Sequence, residues 1–381
     1  MWFVNETTPV TNVIFKVFTF VKKSLAKLKL NLYFCRRNFT MEIINLENLA
    51  ANYQNQKETA LFGKWIHYKH ISPILSKLSD NLEVSVIGES EQNTPIHSVR
   101  FGTGPKRILL WTQMHGNEST GTKAIFDFFN CIAHSNDAIY KRILKECTVL
   151  CVPMLNPDGS FNYTRVNANN VDLNRDAVVK KAKESRLLRR VLDEFNPLFC
   201  FNLHDQRTIF GVEETLNPAT ISFLAPSEEK TRMLTKGRKE TMNVIIAMNS
   251  LLQKVIPNHI GRYTDEFYPT ATGDNFQKLG YNTILIEAGH YPDDYDREET
   301  RKFNFYAIVQ GIYHIATTND FTNYESYFEI PNNQKNFFDI IENGNKGYLY
   351  VDKIIDGKFT TEKKLEKEGD LSDFIGHSVN L

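Results

Sequence analysis

The chain has 381 residues, of which 41% are hydrophobic and 12% aromatic, enough to bury a substantial core in one large domain with additions or in two modest ones. Lys plus Arg and Asp plus Glu are equal at 45 each, so no global field favours nucleic acid or an acidic polymer as partner. The 5 cysteines include no C-x-x-C pair, and Cys147, Cys151 and Cys200 lie in or beside apolar runs, which argues against a disulfide framework and for a reducing, cytoplasmic setting.

Residues 1–40 carry Lys16, Lys22, Lys23, Lys27, Lys29, Arg36 and Arg37 against the single acid Glu6. Lys16 interrupts the apolar stretch Val13 to Val21 and no small-residue cleavage site follows, so a secretory signal fits poorly. No stretch of the sequence is apolar for long enough to span a bilayer. The expectation is a basic N-terminal extension over 1–40, a domain beginning at Met41 and running to 320, and a C-terminal tail over 321–381.

Trp65 to Leu78 reads as a short helix interrupted by Pro73, and Leu82 to Ile87 with Ile96 to Phe101 as a hairpin across a polar, turn-rich connection. Apolar runs at Ile108 to Met114, Thr148 to Met154, Leu198 to Leu203 and Thr283 to Ile286 are nearly continuous, as in strands covered on both faces. Between and after them, Thr120 to Ala133, Glu184 to Phe195, Glu228 to Val255 and Glu298 to Ala316 show helical spacing. The pattern predicts an α/β fold: a mixed, mainly parallel twisted sheet with helices on both faces and an antiparallel hairpin at one edge. Beyond Asp320, Tyr348 to Ile355 and Phe359 to Thr361 flank Asp356-Gly357, a hairpin signal, and this tail is assigned no chemistry.

Binding sites in open α/β sheets lie outside the carboxyl ends of the strands. The first run ends at His115, followed by Glu118 on a turn into a helix; taken alone, the pair is either half of a zinc site or a capped surface turn. The third run ends at His204 and the fourth at Glu287. Two histidines and two glutamates at one inferred edge tip the balance. His115, Glu118 and His204 then supply three ligands to one zinc ion with a position left open, and Glu287 is a carboxylate placed to act as general base. The connection after the second run holds Arg165 and Arg175 in a long Asn-rich loop, where they either clamp a carboxylate or stabilise an oxyanion, or else pair with loop aspartates.

HGNE at His115 to Glu118, NPDG at Asn156 to Gly159, the R-x-N-A-N-x-V-D-L-N-R run from Arg165 to Arg175, His204 and the late Glu287 together resemble the zinc carboxypeptidase family, over roughly Gly63 to Thr317. The resemblance implies a metallocarboxypeptidase that hydrolyses the C-terminal amide bond of a peptide or amino-acid conjugate. It assigns zinc to His115, Glu118 and His204, the general base to Glu287 and carbonyl polarisation to Arg165. It gives the terminal carboxylate to Asn174 and Arg175, and makes Asp172 the acid that orients the first ligand histidine. A mobile tyrosine of the family falls in a window holding both Tyr263 and Tyr268, of which Tyr268 is favoured, and the specificity pocket is expected around Thr272, Gly273 and Asp274. With no secretory signal read, the chain looks closer to bacterial and cytosolic branches than to secreted digestive members. The alternative is an amidase or deacylase acting on cell-wall peptides or N-acyl amino acids; a non-catalytic metal-binding module is a third reading.

Overall fold

The nearly continuous apolar runs become the middle of an eight-stranded sheet buried on both faces. The computed structural model describes residues 41–78 and 81–380. It begins with α1 (Leu46–Gln56) and α2 (Tyr68–Leu75), the latter ending two residues after Pro73. The hairpin follows as β1 (Glu83–Glu89) and β2 (Pro95–Phe101), then β3 (Lys106–Thr112), α3 (Thr120–His134), α4 (Ala138–Glu146), β4 (Cys147–Val152) and α5 (Pro157–Asn162). Next come α6 (Lys183–Phe195), β5 (Phe199–Asp205), β6 (Phe210–Val212), β7 (Ile221–Leu224), α7 (Lys236–Leu252), β8 (Ile260–Arg262), α8 (Thr272–Lys278), β9 (Asn282–Ala288) and α9 (Glu298–Thr317).

The sheet order is β1-β2-β4-β3-β5-β9-β7-β8. β4, β3, β5 and β9 run parallel, and the β1–β2 hairpin joins β4 antiparallel at one edge, as the sequence pattern predicts. At the other edge β7 is antiparallel to β9 and pairs with β8, an extension that runs of three and four residues did not announce. Alternate residues of β3 show why both faces need cover. Ile108 and Leu110 join the core built with α3, α4, α7 and α9, whereas Leu109 and Trp111 join Leu188 and Leu192 of α6 and Phe276 of α8.

Two helices depart from the sequence expectation for local reasons, α4 in being absent from it and α7 in starting later. α4 is a short, charge-rich segment whose apolar face is only Ile139, Tyr140 and Ile143; it is started by Asp137, which accepts from Ile139 N at 2.9 Å. α7 begins at Lys236 rather than Glu228 because Thr235 caps it, and Glu229 ties the preceding turn to Thr231 and Met233.

The C-terminal segment forms sheet as well. β10 (Asn333–Lys335) pairs with β6, and β11 (Phe337–Glu342), β12 (Lys346–Ile355), β13 (Lys358–Glu368) and β14 (Ile375–Asn380) form a four-stranded sheet in the order β13-β12-β11-β14. Asp356 and Gly357, at φ 50° and 72°, make the tight turn between β12 and β13. Phe338, Ile341 and Leu349 of this sheet share a small core with Ile209, Phe210 and Val212. The predicted N-terminal extension over 1–40 lies outside the described residues. Among the described residues no helix is long and apolar enough to cross a membrane.

Candidate metal centre and substrate cleft

β3 stops at Thr112, and the chain turns at Gln113, whose φ of 51° is unusual for a side-chain-bearing residue. The fully buried Gln113 amide holds that turn, donating to the carbonyls of Ile66 at 2.7 Å and Gly116 at 2.8 Å and accepting from Thr122 Oγ1 at 2.8 Å. At Gly116 a Cβ would lie 2.0 Å from the Gly159 carbonyl carbon, so the HGNE and NPDG turns pack backbone against backbone. NPDG is therefore a brace. Asn156 accepts from Gly159 N at 2.9 Å and donates to the Met114 carbonyl at 3.1 Å, while Asp158 accepts from Ser90 Oγ at 2.7 Å and Gln92 N at 3.0 Å.

On the neighbouring strands, His204 of β5 stands opposite Glu287 of β9 in the parallel register. His115, Glu118 and His204 converge at this edge, with ligand atoms all within 4.8 Å of one another, and could hold a metal ion. His115 Nδ1 lies 2.7 Å from Glu118 Oε1 and 3.1 Å from His204 Nδ1, which is itself 2.8 Å from Glu118 Oε2. All three residues are buried. The other His115 nitrogen, Nε2, faces Asp172 Oδ1 at 3.1 Å. With the Nε2 proton given to that acceptor, the neutral ring presents a lone pair at Nδ1, directed at a carboxylate and a second imidazole. Converging electron-pair donors of this kind call for a cation between them, and two imidazoles plus a carboxylate suit zinc with a coordination position to spare.

The electrostatics agree. Burial works against the charged forms here, yet the histidines hold the Glu118 carboxyl well below the usual range, and Glu118 and Asp172 raise His115. Burial lowers His204. Glu287 is pushed well above the usual carboxylate range by burial and then by the charges of Glu118 and Asp205, with Arg165 and Arg297 opposing. A carboxylate kept basic beside converging metal-ligand atoms is a group poised for proton transfer.

Asp172 joins the centre to the loop. It accepts from Arg165 Nε at 3.0 Å and from Asn174 N at 2.9 Å, starting the 3-10 turn Leu173–Arg175. Half-exposed Arg165 also reaches Glu118 Oε1 at 3.3 Å. Asn174 accepts from Thr272 N at 3.0 Å, and Arg175 donates to the Asn174 carbonyl at 2.9 Å while lying over the Tyr268 ring at 5.6 Å. Tyr268 is half-exposed, whereas Tyr263 packs on Phe210, and burial followed by the Glu287 charge pushes its hydroxyl up to about 12.

A cleft of about 740 Å³ is lined by His115, Glu118, His204, Glu287, Arg165, Asn174, Arg175, Tyr263 and Tyr268, with Gly273 and Asp274 beside them, whereas Asp172 and Thr272 stand outside the lining. Burial, opposed by Arg297 and reinforced by Glu118, pushes Asp205, the last residue of β5, up to about 6. Two contributors had no motif to reveal them. Arg297, at φ 60°, donates to the carbonyls of Ala288 at 2.6 Å and Gln206 at 2.9 Å and so ties the ends of β9 and β5 together. The C-terminal sheet, assigned no chemistry from sequence, borders the cleft with Tyr350, Asp352, Lys364 and Glu366.

Comparison with known proteins follows the same lines. A sequence model of the family described as Zinc carboxypeptidase matches residues 67–339. Probable carboxypeptidase 2 of Trichophyton verrucosum (strain HKI 0517) is 28% identical over 102 residues, 26% of this chain and 20% of that protein. Carboxypeptidase SOL1 of Arabidopsis thaliana is 38% identical over 98 residues, 24% of this chain and 20% of its own length. The chain thus spans about a fifth of the length of the curated relatives it matches. Among solved structures, a metallo-carboxypeptidase from Burkholderia cenocepacia superposes with a TM-score of 0.53 at 17% identity, covering 66% of this chain and 70% of that one. The carboxypeptidase A from Helicoverpa armigera gives 0.54 at 16% identity, covering 72% and 80%. These similarities establish the fold, and the match over 67–339 establishes the family: the chain belongs to the zinc carboxypeptidases.

Proposed function

We propose that the protein is a zinc-dependent carboxypeptidase that hydrolyses the C-terminal amide bond of a peptide or amino-acid conjugate. The observation that carries this reading is the convergence of His115, Glu118 and His204 in the same cleft as Glu287, Arg165, Asn174 and Arg175. One zinc ion held by the three ligands supplies Lewis acidity to the scissile carbonyl and to the attacking water. Asp172 fixes the His115 tautomer from behind. Glu287 takes the proton of the attacking water and returns it to the leaving amine. Arg165, half-exposed and within reach of Glu118, donates to the carbonyl oxygen as negative charge grows there. Asn174 and Arg175 hold the terminal carboxylate, with Tyr268 against the guanidinium, which confines cleavage to chain ends.

The relatives and solved structures similar to this chain are named carboxypeptidases, which favours a peptide over an N-acyl amino acid. Cys131, Cys147, Cys151 and Cys200 are free and buried, which fits work in a reducing, cytoplasmic setting. The test is amino-acid release from a library of peptides with varied last residues, using zinc-loaded protein, chelator-stripped protein and zinc-loaded Glu287→Gln. Release is expected from the zinc-loaded wild type alone; equal background release from wild type and Glu287→Gln would contradict the reading.

A further inference from the structure

β12 and β13 lie beyond residue 339, where the family match ends, yet both border the cleft that holds the metal-ligand triad. The contacts that fix them there are of several kinds. Lys64 forms an ion pair with Asp352 and lies over the Phe359 ring at 5.6 Å. Tyr163 meets Phe359 edge-on at 5.0 Å, and Tyr295 meets Tyr350 in the same way at 5.2 Å. Asp339 accepts from the hydroxyls of Tyr295 and Thr208, each at 3.1 Å, and from Tyr350 N at 2.7 Å. The link to the metal centre is short, because the Lys64 carbonyl accepts from Ser119 Oγ at 2.6 Å, one residue past Glu118.

These contacts fall on a different part of the cleft from the carboxylate residues. Asn174, Arg175 and Tyr268 join Thr272, Glu266 and Asp274, whereas the C-terminal sheet joins Lys64, Tyr163, Thr208 and Tyr295. A substrate held by its terminal carboxylate at the first set must lay the remainder of its chain along the other walls. We propose that the C-terminal sheet is the wall for the substrate on the N-terminal side of the scissile bond, and that it restricts the enzyme to short peptides. This rests on the carboxypeptidase reading above and narrows its substrate class. A cleft of about 740 Å³ is of the size that encloses a drug-sized ligand, which corresponds to a di- or tripeptide rather than an extended chain. Lys364 and Glu366, 3.8 Å apart on the exposed strand, add a charged pair to that wall of the cleft.

The test compares an N-blocked dipeptide with a decapeptide that ends in the same two residues. Zinc-loaded wild type should favour the dipeptide in kcat/KM by about tenfold or more, equivalent to ~1.4 kcal/mol of excluded binding per factor of ten. Tyr350→Ala should narrow that ratio by raising the decapeptide rate. Lys364→Trp, at an exposed strand position that tolerates an aromatic residue, should widen it. Equal kcat/KM for the two peptides in the wild type, or a ratio that neither substitution moves, would overturn the proposal. A second readout does not need turnover: in zinc-loaded Glu287→Gln, the dipeptide should slow amide exchange in β12 and β13, and unchanged exchange there would overturn the proposal too. Turnover of neither peptide would instead overturn the carboxypeptidase reading, leaving the exchange experiment to decide the wall by itself.

Discussion

Two regions of the molecule bury several ionisable groups, and they do so in opposite ways. On the α3–α9 side of the sheet, Arg301 is fully buried and grips Asp127 with two donors at 2.6 and 2.7 Å, giving its remaining donors to the carbonyls of Leu61 and Glu58 and to Glu298. Lys123 reaches Glu298 at 2.6 Å and the Asp296 carbonyl at 3.0 Å, and Lys57 adds a further cation to Glu298 at 2.7 Å. Each of these donor nitrogens meets an acceptor, so the cluster is balanced as it stands. At the strand-end cluster, His115, Glu118 and His204 turn electron pairs toward one another, and Glu287 adds a carboxylate opposite His204. That cluster has the donor set to hold a cation. A balanced buried network serves the fold, and an unbalanced one marks the site.

The contrast breaks most visibly if Glu287 is dispensable. Glu287→Gln is expected to lower kcat by about 10²–10⁴-fold, the range for a lost general base, with little change in thermal stability. In the balanced cluster the effects should be reversed. Asp127→Asn leaves Arg301 without its counter-charge and should cost about 3–5 kcal/mol in denaturant unfolding, whether or not metal is present. A smaller effect sharpens the metal side: Asp172→Asn should weaken zinc binding by about 10–100-fold, measured by competition with a chromophoric chelator.

The smallest expected effect is a pH dependence. Lys123, Lys57 and Arg301 outweigh burial and hold the Glu298 carboxyl down at about 2. Because the folded value lies below the unfolded one of about 4.5, this stabilisation is present above pH ~4.5 and is lost as pH falls toward about 2. Glu298→Gln should flatten that acid limb of the stability curve, with a difference on the order of 2 kcal/mol at neutral pH that vanishes in acid. Parallel acid limbs for the two proteins would remove Glu298 from the balanced cluster.

The parallel core of the sheet was legible because β3, β4, β5 and β9 are apolar on both faces, and the triad because each member sits at or just past the end of such a run. The short edge strands β7 and β8 were not, since three or four residues carry no period. Asp127 and Arg301 are 174 residues apart on separate helices, so nothing local predicts that they meet. NPDG was visible as a motif, but its role as a brace depends on Gly116 packing against Gly159, a contact between two motifs. The C-terminal hairpin was visible at Asp356-Gly357, yet its place beside the cleft depends on pairs such as Lys64 with Asp352 that span most of the chain.

The central claim is that the cluster completed by zinc works with Asn174 and Arg175 on a free chain end. It is tested most directly by offering zinc-loaded protein one short peptide in two forms, with its terminal carboxylate free and with that group amidated. The account predicts release of the last residue from the free acid, loss of that release on chelation and its return with zinc, and little or no cleavage of the amide. Cleavage of both forms at the same rate, or release from the free acid that a chelator leaves unchanged, would contradict it.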